Sequence, residues 1–113
     1  MLFRSPGQLV LTVGRGETQR RVAGSAQLPM RTWHQVVLVH EAGQIRVYLD
    51  GRTEVELQGR AGEFEAKGRL YFGGASSNSH GLEGKLDEVA TYSRALKSQE
   101  VSQHFRSAKL PNR

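Results

Sequence analysis

Apolar and polar residues alternate with a period of two along much of this chain. In Gln44-Ile45-Arg46-Val47-Tyr48-Leu49-Asp50, the residues Ile45, Val47 and Leu49 fall on one side. Arg46, Tyr48 and Asp50 fall on the other, the pattern of a strand with one face on a core. Asp50-Gly51 then reads as a tight hairpin turn, because both positions tolerate positive φ. Thr53-Glu54-Val55-Glu56-Leu57 is the returning strand. Residues 33–40 carry apolar side chains on both faces, with Trp33, Val37 and Val39 on one and Val36 and Leu38 on the other. That two-sided pattern predicts a strand in the middle of a sheet covered on both sides, or one that bridges two environments. Residues 8–13 form a further strand, 14–17 a turn and 19–23 its return. Short strands follow at 69–72, closed by Gly73-Gly74, and at 82–92. Residues 98–108 break the period: Val101 and Phe105, at i and i+4, mark a short helix. The tally of about seven strands and one late helix predicts an all-β, antiparallel two-sheet sandwich with one short C-terminal helix.

The strand at 82–92 contains an acid where a strand should not have one. Asp87 alternates onto the same face as Val89 and Thr91. If Val89 points into a core, so does Asp87, and a buried carboxylate must be hydrogen-bonded, paired with a cation or bound to a metal. The readings are an acceptor for backbone N–H groups, a partner for Arg94, or a metal ligand.

Composition narrows the classes. The chain has 113 residues, which suits one domain with one core. With no cysteine, disulfide staples, cysteine zinc sites and thiol chemistry are excluded. The net charge is +5, yet the basic residues are spread singly apart from Arg20-Arg21. No aromatic-interleaved basic stripe appears, so the charge reads as a solvated surface and not as a nucleic-acid interface. No stretch approaches a membrane span, so membrane insertion is not expected. Residues 1–7 lack the apolar run of a signal peptide. If the protein is exported, the expected signal lies upstream.

Four motifs stand in order: Trp33-His34-Gln35-Val36-Val37-Leu38-Val39, Gln44 through Gly51, Leu70-Tyr71-Phe72-Gly73-Gly74, and Leu82 through Val89 continuing to Arg94-Ala95-Leu96. Together they resemble the laminin G-like jelly-roll domains of the concanavalin A-like lectin/glucanase superfamily, with the likeness running from about Gln8 to Phe105. The resemblance implies a jelly roll and a place in a larger exported protein: extracellular, periplasmic or on the cell surface. It also implies calcium (Ca2+) as one reading of Asp87, since related domains bind it through carboxylate and carbonyl oxygens. Two departures stand out. The family domain begins with two further strands before the equivalent of Gln8, so residues 1–113 are expected to form a single but N-terminally incomplete domain. That leaves a misplaced start, a fragment, or a homo-oligomer whose second copy covers the gap. Second, the family often has Ser or Thr directly after the Ala-Leu pair as a helix cap. Here that position is Lys97, and Ser98 is expected to cap one residue later.

Other candidate chemistry also has plainer readings. Residues 75–81 place Ser77, Asn78 and His80 at a sandwich tip, where they could read sugar hydroxyls or form an ordinary solvated loop. Trp33 reads as core packing more readily than as a sugar platform, and Tyr48, on the polar face of its strand, as the better exposed aromatic. Glu54 and Glu56 share a strand face at about 7 Å, as do Glu63 and Glu65 if extended. That spacing is near the range for paired acids, but the three-acid glucanase pattern in an aromatic cleft is absent. His34 and His40, about 20 Å apart along a strand, cannot share one metal. No nucleophile–base arrangement or phosphate-binding loop is present. The resulting expectation is a non-catalytic recognition module that binds a carbohydrate or a protein partner. The alternatives are a structural module packed on a neighbouring domain, with no free ligand, and a calcium-dependent lectin.

Overall fold

The computed structural model describes residues 7–14, 17, 19–29, 31–59, 71–72 and 85–110. Among these residues, two antiparallel sheets and one helix form. β1 (Val10–Val13) and β2 (Arg20–Ala23) pair with Val10 opposite Ala23 and Val13 opposite Arg20. β3 (Val36–Glu41), β4 (Gln44–Leu49) and β5 (Arg52–Gln58) make a meander in the order β3-β4-β5. Both meander turns have two residues, and all four have positive φ: Ala42 50°, Gly43 77°, Asp50 52° and Gly51 84°. Paired positive φ matches the right-handed strand twist, and Gly takes it without strain. The Asp50-Gly51 hairpin is therefore where the pattern placed it.

The three-stranded sheet is covered on both faces. Ile45, Val47, Val55 and Leu57 pack on Leu11, with Leu9, Val13 and Val22 around them. On the opposite face, Val39 and Tyr48 pack on Leu96 and Val101, with Val37 and Ala95 alongside. Tyr48 is 2% exposed, so the exposed aromatic expected from its polar neighbours is instead a core residue. The chain after residue 94 covers the face that alternation marked as polar. Among the described residues, the strand covered on both sides is β4, the central one, and not the segment at 33–40. Among the described residues β3 is at the sheet edge. The two-stranded sheet lies over β4 and β5, with β2 against β5. Val36 and Leu38 consequently remain 52% and 57% exposed. Trp33 precedes the ladder and is 36% exposed, so it is not the buried core residue its spacing suggested.

A second difference concerns the segment after residue 84. Residues 85–92 form no strand and all are exposed. Leu86 is 54% exposed. Alternation alone does not make a strand, because each backbone group needs a ladder partner. Of the expected strand at 69–72, Tyr71 and Phe72 form no strand and are exposed, while residues 69–70 and 82–84 lie outside the described residues.

α1 (Ser98–Ala108) docks by its fully buried Val101. Phe105 sits at the β4–β5 turn, where a Cβ on Gly51 would approach its ring to 3.1 Å. The N-cap is Lys97 and not Ser98, which is already helical. The end is held by Glu100, whose Oε1 accepts the Lys97 N–H at 2.9 Å, half of a capping box. Arg94 donates to both Glu100 oxygens, at 2.8 and 2.6 Å. The arginine expected beside Asp87 thus anchors the helix start instead.

Candidate functional site

Polar side chains converge where the chain entering β3 meets the β4–β5 turn. Extending the β3–β4 register one step past Val36–Leu49 brings Gln35 opposite Asp50. The Asp50 N–H donates to Gln35 O, and Asp50 Oδ1 accepts the Gln35 N–H, both at 2.9 Å. Asp50 Oδ2 lies 2.8 Å from His34 Nδ1. His34 Nε2 lies 2.6 Å from Thr32 Oγ1, and that hydroxyl also stands 2.8 Å from the Pro29 carbonyl, to which it can donate. The His34 and Asp50 side chains are only 14% and 17% exposed.

A hydroxyl, an imidazole and a carboxylate in line have the order of a nucleophile, its base and the group that orients the base. Here the bonds run to the backbone at both ends. Thr32 is held against Pro29, and Asp50 caps the backbone at Gln35. Thr32 has one hydroxyl proton for two neighbours. The arrangement therefore reads as a clasp that fixes residues 29–35 to the hairpin. Sequence reasoning considered His34 only against His40. The missed signal was the antiparallel register, which carries the start of β3 to the Asp50 turn.

The acids on β5 are also committed. Between the pairs Val47–Val55 and Tyr48–Thr53, Glu54 has no partner on β4. This bulge turns its side chain toward the exit of β2. Glu54 Oε2 accepts the Ala26 N–H at 2.8 Å. The approach needs a bare backbone, since a Cβ on Gly24 would lie 2.6 Å from Glu54 Cγ. Glu56 instead faces Arg46, with Oε1 3.4 Å from Nε. Glu54 and Glu56 are thus separated in role by the bulge and do not act as the same-face pair that simple alternation implies. At α1, the hydrogen bonds from Arg94, then the Lys97 N–H, hold the Glu100 carboxyl down at about 2. Its hydrogen bond and charge raise Arg94 in return.

A family model described as concanavalin A-like lectin/glucanases superfamily, of laminin G-like type, matches residues 1–102. The chain belongs to this superfamily. A crystal structure of an S-layer domain-containing protein (residues 221–444) from Clostridium thermocellum ATCC 27405 resembles this laminin G-like domain with a TM-score of 0.56. Identity is 16%, and the match covers 88% of this chain and 52% of that one. The likeness is one of fold, and the domain spans about half of that structure. A search of curated proteins gives no significant match.

The sequence-derived site residues of the domain divide in two. Ser77, Asn78 and His80, with Glu63 and Glu65, lie outside the described residues. Asp87 is described and exposed, and its Oδ1 accepts the Glu88 N–H at 2.9 Å. The buried anchor expected from alternation is therefore absent at Asp87, because no strand forms there to turn it inward. Calcium wants six to eight oxygens. No group of three or more His, Asp or Glu that could hold a metal occurs among the described residues. Asp87 and its described neighbours do not by themselves supply that set. Elsewhere, His104 stacks obliquely on Tyr92, ring centres 6.1 Å apart. No described helix is long and apolar enough to cross a membrane.

Proposed function

We propose that this laminin G-like domain is a non-catalytic recognition module of a larger exported protein, binding a carbohydrate or a protein partner. The supporting observation is the use of four of its described acids. Asp50, Glu54, Glu56 and Glu100 each hold a backbone N–H or a cation. A glycosidase needs one acid to give a proton and another to attack or activate water, and these four are engaged in holding the fold. Ligand contact is assigned to Ser77, Asn78 and His80 from the sequence, where they read as a polar loop of the kind that carries binding on a rigid scaffold. Extracellular or cell-surface placement follows from the family reading. A glycan array read with the whole chain and with Asn78→Ala and His80→Ala tests this assignment. Signal on a glycan class that falls at least tenfold in either variant supports it; equal signal in all three overturns it.

A second reading is favoured by one observation, the exposure of Val36 and Leu38 beside the buried Val39. Aliphatic side chains suit a protein surface better than a sugar, which prefers aromatic faces and polar groups. On this reading the domain packs on a neighbouring domain, or on a second copy of itself, and takes no free ligand. Silence across the array, together with sedimentation as a dimer that Leu38→Lys dissociates, favours packing. A monomer that binds a glycan rejects it.

A further inference from the structure

No further inference is drawn: the strongest candidate, the exposed strip of Val36 and Leu38 along edge strand β3, carries none because nothing in the structure shows what covers it.

Discussion

The β3–β4–β5 meander and the stretch at 85–92 have much the same lettering and opposite fates. Both mix apolar with polar residues, and both place an acid beside a valine. In the meander, each β4 residue is paired on both sides, and layers cover its two faces. At 85–92, Leu86, Val89 and Tyr92 are exposed. The difference lies in the partners and not in intrinsic preference. A strand's propensity is mostly the packing and ladder it finds. The same contrast separates the acids. Asp50 is held by two hairpin-linked segments, whereas among the described residues Asp87 bonds only the next one.

The sharpest way to break this contrast is to cut into the meander's core. Tyr48→Ala is expected to cost about 3–5 kcal/mol, the range for emptying a large buried ring site, read by urea denaturation. A loss below 1 kcal/mol would mean that Leu96 and Val101 do not cover that face. Next, Asp50→Ala removes an acceptor from the Gln35 N–H and from His34, and is expected to cost about 2–3 kcal/mol. His34→Ala in the same background should add less than it does alone, since the two share one network. Gly24→Ala is expected to cost about 1–3 kcal/mol through overpacking against Glu54. Adding Glu54→Ala should recover part of that loss, and full additivity of the two changes would argue against the contact.

The Arg94–Glu100 pair sharpens the contrast through pH. The Glu100 carboxyl is lowered from 4.5 to about 2 in the folded chain. Its contribution is therefore present above the unfolded value and lost as pH falls from about 4.5 toward 2. Acid unfolding of Glu100→Gln should be flatter than that of the parent in that window, and identical slopes would remove the pair from the account. The smallest effect is expected at the other pole. Leu86→Ser should change stability by less than about 0.5 kcal/mol. A loss above 2 kcal/mol would show that residues 85–92 pack as a strand after all.

Much of the fold was legible in the sequence for a physical reason. Ile45, Val47 and Leu49 with Asp50-Gly51 state a strand and its turn locally, and Val101 with Phe105 states a helix face. What was not legible depends on partners distant in the chain. Nothing in Tyr48 and its polar neighbours announces that Leu96 and Val101 will cover them. Glu54 looks like a member of an alternating pair, and only the register shift to β4 shows it as a bulge. The helix cap failed in a similar way. Ser98 is the better capping residue by type, but the carboxylate three residues after Lys97, fixed by Arg94, decides where the helix begins. Of the candidate site, Asp87 was read through a strand that does not form. The clasp of Thr32, His34 and Asp50 required two segments to be set side by side.

The two-residue turns of the meander have a consequence for the order of assembly. Each hairpin closes over a loop of the shortest kind, and hairpins of this type form in about 1–10 μs. The join between the sheets is more distant: Glu54 reaches the Ala26 N–H across 28 residues of sequence. Short-range closure precedes long-range closure because the entropy of closing a loop rises with its length. The meander is thus expected to form before β1 and β2 settle on it. Pulse-labelled hydrogen exchange during refolding should protect the amides of Val47 and Val55 before those of Leu11 and Val22.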